Sequence, residues 1–331
     1  MRSTINSTGI IIVNTGSPAA PTSEAVAAYL RSFLSDPRIC PMNPTIWHFI
    51  LTRFIIPKRA PVSASKYETI WTDEGSPLDV FMASLARRLQ DAYDQEDEDV
   101  FVCHAMSYAS PSIEEALASC EARGCDEVII LPLYPQSAFS TTRAVREQAD
   151  RALGRTPWEP MVRFVDGYGD EDLYIDAISD SIRNAGFGTE ADDRLLFAFH
   201  SIPLIDIRKG DTYDKQTQRT ARRVAGALEL ADDTWRIGYQ CRFDKARTWL
   251  SPFTKAVLDE MADAGRLFVV APNFSIDCLE TLYDIQTELH GHWLEGRASR
   301  TDGAFRYVPC LNDSTVQVEL IRRVVSKSKS A

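Results

Sequence analysis

Short apolar runs alternate with helical patterns along the chain, and this alternation predicts the fold. Each run is rich in β-branched or aromatic residues, and Gly, Pro, Ser or Asn lies within the run or in the two residues after it. The runs lie at 9–13, 100–105, 127–133, 161–165, 194–199, 235–240, 266–272 and 305–309. In the second half, helical periodicity occurs near 213–229, 251–264, 277–290 and 313–327. Apolar strands that alternate with helices predict parallel sheets covered on both faces.

Two architectures fit a chain of eight strand–helix units. One is a closed (β/α)₈ barrel, and the other is a pair of open, doubly wound sheets. The first two runs are widely separated, which favours the pair of open sheets. The first four runs also form a group that ends near residue 165. The segments "GYGDED" and "NAGFGTEADD" have loop composition and place the junction near 165–190. We therefore predict an α/β fold of two similar Rossmann-like halves, 1–170 and 171–331, each a four-stranded parallel sheet flanked by helices.

Ligands of such sheets bind at the carboxyl ends of the strands, so the residues that follow each run are informative. His200 follows one run directly, and Glu280 follows the "NFSID" segment after another. A histidine at the end of a buried strand is more often a hydrogen-bonded structural residue than a catalyst. Beside carboxylates it could instead bind a divalent metal or transfer protons.

The stretch "DCLETLYDIQTELHGH" (277–292) places Glu280, Asp284 and Glu288 four residues apart. On an α-helix these carboxylates would form a column, with about 6 Å between successive members. Such a column is commonly the solvated face of an amphipathic helix, and Asp277 could start a capping box with Glu280. Against both explanations, 277–292 contains no Lys or Arg to offset the repulsion between like charges. The column therefore suggests a cationic ligand.

A second unusual segment, "PTIWHFILTRFIIPKR" (44–59), combines many apolar side chains with Arg53, Lys58 and Arg59. It is too short to span a bilayer. Two explanations stay open: a buried helix, or an apolar lip at an interface, flanked by cations. We refer to residues 44–59 as the lip segment.

Composition excludes several classes of function. The chain has 331 residues, a formal charge of −11 and a pI near 5.0, and no basic stripe stands out, so no nucleic-acid partner is expected. No secretory signal or membrane span is evident, which predicts a cytoplasmic protein. The seven cysteines form no C-x-x-C pair, so reduced thiols are expected. Nucleotide-binding glycine loops and a G-x-S-x-G elbow are also absent.

The ordered motifs resemble the ferrochelatase family over almost the whole chain. They are "GIIIVNTGSPAAPTSEAVAAYLRSFLSDPRI", "GSPL", "MSYASPSIEEAL", "LPLYPQSAFSTT", "FHSIP", "GDTY", "YQCRF", "WLSPFT" and "DCLETLYDI". The resemblance implies two Rossmann-like halves and insertion of Fe²⁺ into a porphyrin at the last step of protohaem synthesis. Each motif alone is weakly specific, whereas their shared order is highly specific.

The resemblance also implies roles for individual residues. His200 matches the family's active-site histidine, acting as proton acceptor or iron ligand, and Glu280 matches the metal-binding glutamate opposite it. Asp284 and Glu288 would conduct metal inward or protons outward. The implied porphyrin-binding residues are Thr15, Ser107, Tyr108, Ser137 and Trp249.

Some positions depart from the family pattern. Asp244 stands where glycine is usual, in a loop one residue longer than expected before Trp249, and Asn273 also replaces a common glycine. The residues after Cys310 contain no cysteine, and Phe139 replaces one. No [2Fe–2S] cluster or other cofactor is therefore expected, and Fe²⁺ is a substrate.

The substrate and partners follow from finer features. "NTGSP" and "DCLETL" resemble the bacterial group that uses protoporphyrin IX, whereas enzymes using coproporphyrin III tend to have tyrosine at the Thr15 position. Alternatives are a cobalt or nickel chelatase for sirohydrochlorin-like rings, disfavoured by the apolar lip segment, and a porphyrin carrier, disfavoured by the pair His200 and Glu280. We expect a monomer whose partners are the porphyrin and Fe²⁺, with the lip segment contacting the inner face of the cell membrane.

Overall fold

The computed structural model describes residues 7–39, 43–188, 190–242, 244, 246–261, 264–295 and 304–330. The chain forms two compact units. The N-terminal unit comprises Met1–Leu133, Phe139–Gly167 and Asp313–Ala331, and the C-terminal unit comprises Tyr134–Ala138 and Tyr168–Asn312. This division differs from the predicted halves, because the last helix belongs to the N-terminal unit.

Each unit contains one four-stranded parallel sheet, and the eight strands fall on the eight predicted runs. The N-terminal unit has β1 (Thr8–Asn14), β2 (Val100–Met106), β3 (Glu127–Pro132) and β4 (Met161–Phe164) in the order β2-β1-β3-β4. The C-terminal unit has β5 (Asp193–His200), β6 (Trp235–Gln240), β7 (Arg266–Val270) and β8 (Phe305–Val308) in the order β6-β5-β7-β8. The equivalent orders confirm two similar halves and exclude the barrel.

The helices of the N-terminal unit cover both faces of its sheet. They are α1 (Ser23–Leu34), α2 (Pro44–Ile50), a π-helix (Leu51–Ile55), α3 (Ile56–Ile70), α4 (Pro77–Asp94), α5 (Ile113–Ala122) and α6 (Thr142–Leu153). The central strand β1 is fully enclosed, with Ile10, Ile11, Ile12 and Val13 all 0% exposed. A strand covered on both faces needs an uninterrupted apolar run, which is what the sequence supplies.

The C-terminal unit is built in the same way. Its helices are α7 (Asp172–Asn184), α8 (Leu204–Arg208), α9 (Tyr213–Ala227), α10 (Thr254–Glu260), α11 (Leu279–Leu282), a second π-helix (Asp284–Leu289) and α12 (His290–Glu295). The final helix, α13 (Thr315–Ser330), packs against α4 and β4. Arg163 of β4 donates to the Ser328 carbonyl at 3.1 Å, which fixes α13 to the N-terminal unit.

The edge strand β2 has its backbone partly capped by a side chain. Gln90 of α4 donates from Nε2 to the Val100 carbonyl (2.8 Å), and its Oε1 accepts from the Val102 amide (2.7 Å). An unpaired strand edge would otherwise offer these groups to another chain. Gln90 therefore protects one edge of the first sheet.

The lip segment has an exposed face and a buried one. Ile46, Phe49 and Phe54 are 57%, 61% and 53% exposed, whereas Leu51 and Ile56 are 0% and 4% exposed. The segment is therefore partly buried and partly exposed, and the buried-helix explanation accounts only for its inner face. Within the described residues, no helix is both long and apolar enough to cross a membrane.

One helix corrects the expectation that the chain carries no basic stripe. Lys215, Arg219, Arg222 and Arg223 lie along α9 and line a shallow depression of about 380 Å³. Arg219 pairs with Asp170 at 2.6 Å, so part of this charge is neutralised within the C-terminal unit. In the sequence these basic residues are separated by neutral ones, so the stripe forms only when the segment folds as a helix.

Asp79 in the first turn of α4 is a carboxyl group whose surroundings resist ionisation. Its Oδ1 atom is buried without a hydrogen-bond partner among the described residues, while Ser17 hydrogen-bonds to the group. Burial outweighs that bond and raises the pKa of Asp79 to about 6. The folded protein therefore keeps a proton that the unfolded chain releases, so stability falls as pH rises from about 4 to about 6.

We expect Asp79→Asn to raise the free energy of unfolding by about 2 kcal/mol above about pH 6, because the neutral amide avoids burying a charge. Near pH 4 the gain should largely disappear, since the folded carboxyl group is already neutral there. Urea denaturation at both pH values measures the difference. Asp73→Asn, at an exposed position, is the control. An equal gain at both pH values would contradict this explanation.

Candidate active site

His200 is the last residue of β5, and the "GDTY" motif fixes its backbone. The Tyr213 hydroxyl donates to the His200 carbonyl at 2.9 Å. Tyr213 is held in turn by Asp211, whose Oδ1 accepts the Tyr213 amide at 2.9 Å. Burial raises the pKa of Tyr213 well above its ordinary value, so the phenol keeps its proton and remains a donor. Gly210 has a φ of 101°, which glycine adopts without strain, and so permits this turn.

The ring of His200 has a defined tautomer. Its Nδ1 lies 2.7 Å from the carbonyl oxygen of Ser201. Because a carbonyl can only accept a hydrogen bond, Nδ1 carries the proton, and in the neutral ring the lone pair is on Nε2. His200 therefore presents Nε2 as a proton acceptor or metal ligand.

Gln240 connects the His200 strand end to Glu280. It lies opposite His200 in the β5–β6 register, and its carbonyl accepts the Ser201 amide at 2.9 Å. Its side-chain amide donates to the Glu280 carbonyl at 3.2 Å. The backbone of Glu280 thus contacts the end of β6, which lies beside the end of β5 that bears His200.

The start of α11 is organised differently from the predicted capping box. Cys278, rather than Asp277, is the N-cap residue, and its amide donates to the Thr281 hydroxyl at 3.0 Å. Asp277 instead accepts hydrogen bonds from Thr281 (2.9 Å), Tyr307 (2.5 Å) and Asn312 (2.7 Å). These bonds tie the helix start to β8 and to the loop after it. The Glu280 side chain instead has a hydrogen bond with the thiol of the N-cap residue Cys278.

The predicted regular helix over 277–290 is wrong, because the chain changes to a π-helix at Asp284. The Tyr283 carbonyl accepts the Thr287 amide (3.0 Å) and the Glu288 amide (2.8 Å), the latter being the i→i+5 bond of a π-turn. This widening changes the angle between Glu280 and the later carboxylates. Single π-turns within helices occur frequently at functional sites.

The acidic column is also less uniform than the sequence suggests. Glu288 is exposed and accepts a hydrogen bond from Lys255 of α10 at 2.8 Å. Residues 277–292 contain no Lys or Arg, but Lys255 of the neighbouring helix α10 supplies a positive charge. Asp284 is partly buried, and its Oδ2 lies 3.1 Å from the Cys241 thiol at the end of β6. The negative charge therefore becomes more exposed from Asp284 to Glu288.

Three predicted porphyrin-binding residues lie in the strand-end loops of the N-terminal unit. The Ser107 amide donates to the Asn14 carbonyl (2.8 Å), and the Tyr108 amide donates to the Thr15 carbonyl (3.1 Å), which joins the loops after β1 and β2. The Tyr108 hydroxyl donates to Asp36 at 2.9 Å. The Ser107 hydroxyl is buried and lacks a hydrogen-bond partner among the described residues.

The other two predicted porphyrin residues belong to the C-terminal unit. The Ser137 amide donates to the Gln216 side chain at 3.0 Å. Trp249 is only 6% exposed, its indole N–H donates to the Asp244 carbonyl at 3.0 Å, and the Arg247 guanidinium lies over its ring. These contacts give Trp249 a structural role in the long loop and leave little of its ring for a ligand.

Asp244, which replaces a usual glycine, is part of the same loop structure. Burial alone would raise its pKa, but the backbone amide and guanidinium of Arg247 outweigh burial and lower the pKa of Asp244. The Arg247–Asp244 ion pair measures 2.7 Å. This ion pair therefore joins Asp244 and Arg247 within the loop.

The described residues contain no preformed group of three His, Cys, Asp or Glu side chains that could hold a metal. The C-terminal unit has the imidazole lone pair of His200 at the end of β5 and the partly buried Glu280 beside the end of the neighbouring strand β6. Such groups can accept protons or bind a divalent ion for a short time.

Comparison with known proteins identifies the family. A sequence model of the ferrochelatase family matches residues 7–329. This chain belongs to the ferrochelatase family. A ferrochelatase of Nitrosomonas europaea is 39% identical over 323 residues, covering 96% of this chain and 86% of the relative. A ferrochelatase of Actinobacillus pleuropneumoniae (serotype 5b, strain L20) is 36% identical over 322 residues, covering 97% and 98%.

A solved structure shares the fold. SirB from Bacillus subtilis with Fe³⁺ matches with a TM-score of 0.60 at 11% identity, covering 97% of this chain and 95% of SirB. At that identity the similarity concerns the fold alone. The predicted family and fold class are thus confirmed.

Several residues that shape this ferrochelatase-family site were not recognised as such in the sequence. Tyr213 and Gln240 lie in the motifs "GDTY" and "YQCRF", which could have indicated them. Asp36 likewise lies in the first family motif, whereas Lys255 gave no signal, because it acts through a contact between distant segments.

Proposed function

We propose that this protein inserts Fe²⁺ into protoporphyrin IX, with release of two protons, in haem biosynthesis. The observation that carries the proposal is His200, whose Nδ1 proton is held by the Ser201 carbonyl so that Nε2 has the lone pair. Membership of the ferrochelatase family supports the reaction class.

The porphyrin loses two pyrrole N–H protons as iron enters, so the reaction needs proton acceptors. His200 Nε2 takes a proton or binds the entering iron, and Glu280 is its metal-binding counterpart. Tyr213 hydrogen-bonds to the His200 backbone and Gln240 to that of Glu280, so each backbone position is fixed by a neighbouring element.

Asp284 is partly buried, like Glu280, and Glu288 is exposed, so these two carboxylates would form a path outward from Glu280. Carboxylates bind hydrated divalent ions weakly enough to pass them on. Lys255 pairs with Glu288 at the outer end, where an exposed pair is weak and an arriving cation can displace it. The path would conduct iron inward or protons outward.

Protoporphyrin IX is preferred over coproporphyrin III because Thr15 occupies a position where coproporphyrin-using relatives tend to carry tyrosine. The exposed apolar residues of the lip segment also suit a ring with few carboxylates. A sirohydrochlorin-like ring, with many carboxylates, would need a more polar surface.

Steady-state metallation assays with the three porphyrin classes and with Fe²⁺ or Zn²⁺ test the proposed function. We expect turnover with protoporphyrin IX at a higher kcat/KM than with coproporphyrin III, and none with a sirohydrochlorin-type ring. A higher kcat/KM for coproporphyrin III would overturn the substrate assignment, and absence of turnover with every ring would favour a carrier.

The lip segment is proposed to place the protein against the inner face of the cell membrane while it acts in the cytoplasm. Phe49 and Phe54 lie edge to face, 6.0 Å apart, and both are exposed. Arg53, beside Phe54, adds a cation that suits anionic lipid headgroups.

We expect Phe49→Asp with Phe54→Asp to reduce binding to anionic liposomes severalfold, with little change in melting temperature, because both rings are exposed. Leu51→Asp, in the same segment, should instead lower stability by about 3 kcal/mol or more, because Leu51 is fully buried. Liposome sedimentation and thermal melting separate the two effects. Unchanged liposome binding in the double variant would contradict the membrane role.

A further inference from the structure

Three cysteines of the N-terminal unit lie close together, and the metallation chemistry does not use them. Cys103 is on β2, Cys120 is in the last turn of α5, and Cys125 lies just before β3. Cys120 and Cys125 are 0% and 1% exposed, whereas Cys103 is partly exposed. We refer to these three residues as the thiol cluster.

The end of α5 brings Cys120 and Cys125 together. The Gly124 amide donates to the Glu121 carbonyl (2.9 Å), and the Cys125 amide donates to the Cys120 carbonyl (3.1 Å). These two bonds, with Gly124 at a φ of 72°, form a Schellman motif. The motif usually brings together apolar side chains at the positions that Cys120 and Cys125 occupy here.

Gly9 of β1 shows where these two sulfur atoms lie. A Cβ atom on Gly9 would be 2.7 Å from Cys120 Sγ and 3.4 Å from Cys125 Sγ. Both sulfurs therefore approach one point of the β1 backbone, where glycine leaves room for them.

Cys103 reaches the cluster from the neighbouring strand. Its Sγ lies 4.0 Å from the Ala116 carbonyl, and Ala116 is one helical turn before Cys120 on α5. The nearby Cys103 thiol, together with burial, raises the pKa of Cys120. Cys103 also lines a surface groove of about 480 Å³ on the N-terminal unit, through which small molecules can reach it.

We propose that the thiol cluster is a site of oxidative modification, in which a hydroperoxide oxidises Cys103 and Cys120 then forms a disulfide with it. In the first step the Cys103 sulfur attacks one oxygen of hydrogen peroxide and the O–O bond breaks; Cys103 becomes a sulfenic acid, and the other oxygen leaves as water with the thiol proton. In the second step the Cys120 sulfur attacks the Cys103 sulfur, an S–S bond forms and the S–O bond breaks. The hydroxyl leaves as a second water with the proton of the Cys120 thiol. Two thiols and one hydrogen peroxide thus yield one disulfide and two waters.

The oxidant class follows from access and from the substrate. A small uncharged molecule can reach a partly buried thiol, whereas a bulky disulfide such as glutathione disulfide cannot approach Cys120. Ferrous iron and dioxygen produce hydrogen peroxide, so a protein that handles Fe²⁺ meets this oxidant. The choice of hydrogen peroxide as oxidant rests on the proposed function, whereas disulfide formation on peroxide treatment can be measured independently of it.

The positions of arginines make the modification easy to detect. Trypsin cleaves after Arg88, Arg123 and Arg143, so Cys103 and Cys120 share the peptide 89–123, while Cys125 lies in 124–143. The intact protein is treated with one equivalent of hydrogen peroxide, then denatured, alkylated with iodoacetamide and digested. We expect peptide 89–123 to be two hydrogens lighter and unalkylated. Full alkylation of both thiols, or a main product that joins 89–123 to 124–143, would overturn the proposal.

Two variants test the order of events. In Cys103→Ser, which changes a partly exposed residue, Cys120 should remain fully alkylatable after peroxide. The role of Cys103 would be overturned if this variant formed a Cys120–Cys125 disulfide as fast as the wild-type protein forms its Cys103–Cys120 disulfide. Cys310→Ser, which removes a thiol of the C-terminal unit, is the matched control and should leave the disulfide in 89–123 unchanged. Melting curves of both variants test whether they are folded.

Discussion

His200→Ala should lower kcat for porphyrin metallation by at least about 100-fold, because it removes the proton acceptor or ligand at the end of β5. The fold should survive, since the ring makes a local bond to the Ser201 carbonyl, and Tyr213 bonds to the His200 backbone, which alanine keeps. Zn²⁺ insertion into protoporphyrin, followed by absorbance, measures the loss, and thermal melting measures stability.

His292→Ala is the matched control for this prediction. His292 is a partly exposed histidine of α12, paired with Asp259 at 3.2 Å, and it should be dispensable. Near wild-type metallation by a folded His200→Ala variant would refute the role assigned to His200. A large drop in its melting temperature would show a structural role instead.

Glu280→Gln should also lower kcat by at least about 100-fold, because it replaces a metal-binding carboxylate with a neutral amide of the same shape. Its backbone contact with Gln240 remains, so the melting temperature should change little. Asp284→Asn and Glu288→Gln should mainly raise the apparent KM for the metal, since these residues lie farther along the path. Kinetics at varied Zn²⁺ or Fe²⁺ separate the two effects.

The solvated-face explanation makes a different forecast for the same variants. On that explanation each substitution relieves repulsion between like charges and is neutral or slightly stabilising. Lys255→Met is a useful control, because it breaks the pair with Glu288 without removing a carboxylate. Wild-type kinetics for Glu280→Gln would show that the carboxylate has no part in the reaction.

The strands were predictable because burial on both faces of a parallel sheet requires continuous apolar runs. Ile10 to Val13 in β1 and Leu195 to Phe199 in β5 are 0% exposed, and each lies in such a run. His200 ends β5, so the strand prediction alone places it at the carboxyl edge of the sheet, where ligands bind in such folds. This part of the site follows from local pattern and general topology.

The remaining features depend on contacts between segments that are distant in sequence. The π-helix at Asp284–Leu289 inserts one residue into a turn while Ile285 and Leu289 stay buried in the core of the C-terminal unit. A pattern of period 3.6 cannot reveal that insertion. In the same way, Lys255 lies outside the acidic stretch, and α13 is assigned to a unit only by the strand and helix that it packs against.

The most direct test of iron insertion mixes Fe²⁺ anaerobically with a preformed complex of the wild-type protein and protoporphyrin IX. The absorbance spectrum reports the porphyrin, and a pH indicator reports protons. We predict conversion of the free-base spectrum to that of protohaem with release of two protons per haem, whereas the His200→Ala complex should bind the porphyrin but keep the free-base spectrum. A free-base spectrum that persists in the wild-type complex after Fe²⁺ is added would contradict the central claim.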